Sequence, residues 1–77
     1  MSDADLREKL REIVAEVAEL DDIPDSEPFK ELGIDSMMAI EIIAEVERAY
    51  RIKVPEEELQ RVTDLDSMVT LIKSHLS

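Results

Sequence analysis

The chain has no cysteine and no tryptophan, one phenylalanine, one tyrosine and one glycine among 77 residues. Without cysteine there are no disulfides and no thiolate metal sites. With two aromatic rings in all, any core has to be aliphatic. Basic residues are also scarce, nine Lys and Arg against twenty Asp and Glu, for a net charge of −11. That balance excludes nucleic acid as a partner, because phosphate neutralisation needs clustered Lys and Arg, and it disfavours anionic membranes. No apolar run approaches the ~20 residues of a membrane span. The first five residues carry acid where a targeting peptide would carry base. No stretch alternates with period two over a useful length, and there is no repeat or low-complexity tract.

What is present is aliphatic and helical. Hydrophobic residues make up 44% of the chain, too many for a disordered acidic tail. The expectation is a single domain over 1–77, freestanding, monomeric and cytoplasmic, near the lower size limit for folding without a staple. The acidity keeps a small protein soluble; it also attracts basic patches on other proteins by long-range steering.

Ser2 with Asp5 forms a capping-box-like start. Leu6, Leu10, Ile13, Val14, Val17 and Leu20 follow on one helical stripe. From Asp21 to Asp35 the pattern breaks around Pro24, Pro28 and Gly33. Ile23, Phe29, Leu32 and Ile34 are irregularly spaced there, as in a long loop pinned to a core. Asp35 caps a second helix that runs to about Arg51. A short helix is expected near Val54–Leu59, with Pro55 at its first position. Thr63 with Asp66 gives the start of a last helix carrying Leu65, Met68, Val69, Ile72 and Leu76. The fold class is all-α: a bundle of three main helices plus one short helix, with a long loop between the first and second.

The second helix is apolar on two sides. At about 100° per residue, Ala39, Ile42, Ile43, Val46, Ala49 and Tyr50 form the core stripe. Met37, Ile40 and Ala44 lie roughly opposite, among Glu41, Glu47 and Arg48, with Met38 on the flank. Either the long loop covers Met37 and Ile40, or they form a small apolar patch ringed by acids. Such a patch would suit partners with basic rims and apolar pockets, and methionine adapts to several of them.

Ser36 begins this helix. On local grounds it is an ordinary helix-start residue beside the cap Asp35. Free backbone N–H groups and the helix dipole would nevertheless favour a negative group, such as a phosphodiester, at this position. Gly33-Ile34-Asp35-Ser36-Met37 resembles the attachment motif of acyl carrier proteins. The likeness extends through Pro28-Phe29-Lys30-Glu31-Leu32 before it. After it come Glu41, Glu47, Tyr50, Ile52-Lys53-Val54-Pro55-Glu56-Glu57-Glu58, Thr63, Leu65 and the last helix.

The resemblance implies a carrier without catalytic residues of its own. It would bear 4'-phosphopantetheine on Ser36, beside Asp35, loaded by a phosphopantetheinyl transferase, and hold acyl intermediates as thioesters. The pathway implied is fatty-acid, lipid or polyketide-type biosynthesis. Acyl-processing enzymes with basic docking surfaces would meet Met37, Met38, Ile40, Glu41, Ala44 and Glu47. The acyl chain would tuck between the second and third helices, lined by Ala39, Ile42, Val46, Leu59 and Val62, which are also core positions. Fatty-acid carriers usually have an acidic or polar residue where this chain has Met38, which points to a dedicated rather than housekeeping carrier.

Other readings are weaker. A serine hydrolase would need a base and a nucleophile elbow. The lone histidine, His75, reads as a solvated residue complementing the last helix dipole. Asp21, Asp22, Asp25 and Glu27 do not follow the EF-hand spacing, so no metal site is expected. A peptidyl or aminoacyl carrier and an adaptor that never bears an arm remain as alternatives.

Overall fold

In the computed structural model, which describes residues 2–76, three α-helices and two 3-10 turns surround one aliphatic core; Met1 and Ser77, the ends of the domain expected over 1–77, lie outside the described residues. There is no strand among the described residues, and the architecture is the expected three-helix bundle with a long first loop.

Helix α1 spans Asp3–Ala18. The Ser2 hydroxyl accepts from the Asp5 N–H at 3.2 Å, and Asp3 and Asp5 put negative charge at the positive end of the dipole. Leu6, Leu10 and Val14 are buried, with Ile13 and Val17 packed beside them. The helix stops at Glu19, which adopts the left-handed conformation at φ 56°.

The loop that follows is irregular but anchored. Ile23, Phe29 and Ile34 are buried in the core. A 3-10 turn at Phe29–Leu32 is closed by Gly33 at φ 82°, a conformation that favours glycine. The Arg11 guanidinium donates to the Ile23 carbonyl and, at 2.5 Å, to the Asp25 carboxylate. Arg7 reaches Asp66 at 2.5 Å. Two backbone bonds join this loop to the start of the last helix, Asp66 N–H to Asp25 C=O at 3.0 Å and Phe29 N–H to Thr63 C=O at 2.8 Å.

Helix α2, Ser36–Tyr50, buries Ile42, Ile43 and Val46. Ala49, expected on the core stripe, is exposed. It lies about 60° round the helix from Val46, at the edge of the stripe and in the final turn. The expected short helix is a 3-10 turn over Glu56–Arg61, with none of its residues buried. Pro55 stays extended just outside it at ψ 143°. A run of three glutamates with one leucine offers no apolar face on which to build α-helix.

Helix α3 spans Leu65–Leu76. Its start is not the expected Thr63–Asp66 pair. The Asp64 carboxylate accepts from Ser67 N–H at 2.8 Å, and the Ser67 hydroxyl accepts from Asp64 N–H at 3.0 Å. Both pairs have capping spacing, and the structure uses the one that leaves Asp66 free to meet Arg7. Leu65, Met68, Val69 and Ile72 are buried as expected; Leu71 is buried as well, and Leu76 is exposed. Packing against both α1 and the second 3-10 turn widens the buried face enough to take in Leu71. His75 is not simply solvated. It is half-buried, with Nε2 at 2.8 Å from the Glu58 carboxylate.

Candidate functional site

Asp35 sets the geometry at the start of α2. Extended at φ −91° and ψ −177°, it turns its carboxylate back to accept from the Met38 N–H at 2.9 Å. Ser36 is thereby the first helical residue. It is exposed, and the first-turn N–H groups beside it lack intrahelical acceptors. Gly33 makes the tight approach to this start. A Cβ there would meet nothing within 4 Å, so the glycine answers to its positive φ and not to crowding.

Beside Ser36 a cleft of about 670 Å³ opens between α2 and the second 3-10 turn. Ile34, Ala39, Ile43, Leu59 and Val62 form apolar walls, with Phe29 behind them, while Lys30, Glu56, Gln60 and Thr63 supply polar groups. Three of the five residues expected to line such a pocket are in it: Ala39, Leu59 and Val62. Ile42 and Val46 are not; they are 1% and 0% exposed inside the core. The reason is angular. Ser36, Ile40 and Ile43 follow one ridge of the helix at spacings of three and four, whereas Ile42 and Val46 point toward the bundle centre. Ile43 and Ile40 therefore take their places along the cleft.

The neighbouring solvent-facing side of α2 exposes Met37 at 73% and Ile40, at the rim of the cleft, at 56%, so the long loop does not cover them. Met38 is half-buried and packs against the core. Glu41 is exposed and Ala44 half-buried. They border a second depression of about 500 Å³ between α1 and α2. Glu47 has an internal partner: its carboxylate accepts the Val54 N–H at 2.7 Å. That bond ties the end of α2 to the segment leading into the second 3-10 turn, a role sequence alone did not suggest.

In the long loop the Asp25 carboxylate is likewise committed. Arg11, with Arg7 next to it, holds the Asp25 carboxyl below its ordinary range through hydrogen bonding and charge, against a smaller desolvation cost. Among the described residues, no three His, Asp or Glu side chains are grouped so as to hold a metal ion. No described helix is long and apolar enough to cross a membrane.

Comparison with known proteins gives a consistent result. Residues 8–72 match the family described as "Phosphopantetheine attachment site". The chain is 37% identical to the anthracycline acyl carrier protein DpsG of Streptomyces peucetius, over 99% of this chain and 92% of that protein. It is 40% identical to polyketide-8 synthase acyl carrier protein 2 of Streptomyces avermitilis, over 91% and 84% respectively. It is also 34% identical to the non-reducing polyketide synthase dbaI of Emericella nidulans, but there it spans only 3% of the relative's length. The local structure fits the group this family bears. An exposed hydroxyl stands at a helix start whose dipole favours a phosphodiester, and an apolar cleft opens beside it. The chain belongs to the phosphopantetheine-attachment family, as a three-helix domain of the acyl carrier type.

Proposed function

We propose that Ser36 is the attachment point of the 4'-phosphopantetheine arm and that the chain serves as a carrier in polyketide-type biosynthesis. The observation that carries this is the pairing of an exposed serine hydroxyl at the start of α2 with the cleft beside it. When bound, the arm supplies a terminal thiol able to hold an acyl group as a thioester. The work of the chain itself is positional. Asp35 orders the first turn by binding the Met38 N–H and so fixes Ser36 as the first residue of α2. The remaining first-turn N–H groups face the negative charge of a phosphodiester. Ala39, Ile43, Leu59 and Val62 offer an acyl chain a surface away from water.

Met37, Ile40, Glu41 and Ala44 make the docking face. Its partners would be a phosphopantetheinyl transferase and acyl-processing enzymes whose docking surfaces are basic. Met38 offers only its half-buried side chain, its N–H being taken by Asp35, and the Glu47 carboxylate is engaged within the chain. A monomer in the cytoplasm accords with the acidic surface. The pathway follows the relatives, which include a polyketide-8 synthase acyl carrier protein and a non-reducing polyketide synthase.

Incubation with coenzyme A and a broad-specificity phosphopantetheinyl transferase, followed by mass spectrometry, tests the assignment. The expected result is a gain of one phosphopantetheine in the native chain and none in Ser36→Ala. An unchanged native mass, or a gain that persists in the variant, would overturn it.

A further inference from the structure

The ionisable side chains that line the cleft beside Ser36 are Asp35, Glu56 and Lys30. Lys30 is thus its one cation. Elsewhere in the chain several cations are committed: Arg7 and Arg11 to Asp25, Arg48 to Glu45 and Lys73 to Asp3. The exposed Lys30 side chain makes no ion pair or hydrogen bond among the described residues. Its backbone, by contrast, is held on all sides. Phe29 before it is buried, donates its N–H to the Thr63 carbonyl at 2.8 Å and accepts the Ile34 N–H at 3.0 Å. The Lys30 carbonyl accepts from the Gly33 N–H at 3.2 Å. That closed turn brings Lys30 and Ser36 to the same cleft. The result is an unpaired cation on a fixed base, beside a helix start that favours anions.

We propose that Lys30 is a positioning residue for the phosphopantetheine arm: its ammonium pairs with the phosphodiester on Ser36 and turns the arm toward the cleft between α2 and the second 3-10 turn. The inference rests on Ser36 bearing the arm. Attachment adds a permanent negative charge to a cleft that already holds Asp35 and Glu56. Repulsion from those two carboxylates alone would send the arm out into solvent. The free N–H groups of the first turn favour the phosphate, but their field runs along the helix axis and does not choose between the sides of α2. Lys30 makes that choice, because it stands on the cleft side. A charge-assisted bond from ammonium to phosphate is stronger than a neutral one, yet at an exposed site it stays sensitive to salt. Lysine suits the task better than arginine would. A compact charge on a flexible stem follows a phosphate oxygen as the arm moves, so the arm is held toward the cleft and can still be given up to a partner.

The test compares full chains that carry the arm, each confirmed by mass: native, Lys30→Gln, Lys30→Arg and, as a matched loss of one charge on α1, Lys9→Gln. Lys30 and Lys9 are both exposed, so these changes leave the packing intact. Phosphorus NMR reads the phosphodiester directly, and the methyl signals of Leu59 and Val62 read where the arm lies. The native phosphorus signal is expected to be displaced from its position in the urea-unfolded chain. Lys30→Gln should lose most of that displacement, Lys30→Arg should keep it, and about 0.5 M sodium chloride should erode it. Attachment of the arm should shift the Leu59 and Val62 methyls severalfold less in Lys30→Gln than in the native chain. The proposal is overturned by a phosphorus signal that is the same in native and Lys30→Gln chains, by an equal response in Lys9→Gln, or by methyl shifts that Lys30→Gln leaves unchanged. A chain that gains no arm on Ser36 overturns both assignments, whereas a loaded chain indifferent to Lys30 overturns this one alone.

Discussion

At the scale of single residues, two side chains make opposite predictions. The Tyr50 hydroxyl is buried with no hydrogen-bond partner among the described residues, and burial raises its pKa. A buried polar atom without a partner costs stability. Tyr50→Phe is therefore expected to stabilise the fold by about 1 kcal/mol, read as a rise in the urea midpoint at unchanged m-value. Asp25 is the converse case. Its carboxyl titrates lower in the folded chain than in the unfolded one, because Arg11 and Arg7 favour the charged form. Its contribution is thus complete above the ordinary carboxylate range and is lost as pH falls through the lower folded value. Asp25→Asn should lower Tm at neutral pH, and the gap from the native chain should close from about pH 4 downward. Asp35 and Ser36 could be read from the sequence because the cap, the glycine turn and the serine lie within four residues of one another. The Arg7–Asp66 pair could not. Its partners are 59 positions apart, and no local pattern marks one arginine among several as the one that bridges.

At the scale of elements, α1 ends badly. Glu19 holds a left-handed backbone and places a negative charge at the negative end of the helix dipole. Both features disfavour it, so Glu19→Gly is expected to raise stability by about 1 kcal/mol, seen in thermal unfolding without a change in helical signal. At the start of α3, Asp64→Ala should cost about 1 kcal/mol, while Thr63→Ala should cost far less, because the Thr63 side chain takes no part in the cap. The three long helices were legible because their apolar positions recur with a period near 3.6. The cap of α3 was misread by one residue, since two overlapping pairs have the same spacing and only Arg7 distinguishes them. The cleft was misread in part for a related reason. Periodicity marks which residues are apolar, but the gap left beside Ile43 and Ala39 depends on how the second 3-10 turn is hung.

At the scale of the whole molecule, charge dominates. Eleven net negative charges sit on a body with a radius of gyration of 11.1 Å, close to the length over which physiological salt screens. Their mutual repulsion opposes folding. Raising sodium chloride from about 0.05 M to about 0.5 M should therefore increase Tm; a fall would mean that the arginine–aspartate pairs outweigh the repulsion. Composition was enough to foresee this surface, whereas the wiring that holds the cleft was not. The wall formed by residues 56–62 is fastened at one end by Glu47 to the Val54 N–H, and at the other by the Phe29 N–H to Thr63. Mechanically it is a strap pinned at both ends, by one bond at Val54 and by two at Thr63, whose own N–H also donates to Ser67 Oγ, with Glu58 latched to His75 between them. Amide hydrogen exchange should find Val54 and Phe29 as slow as helical amides although neither lies in an α-helix. A cargo too large for the resting cleft should accelerate one of them before any amide of α1, and which one quickens first would show the end from which the strap lifts.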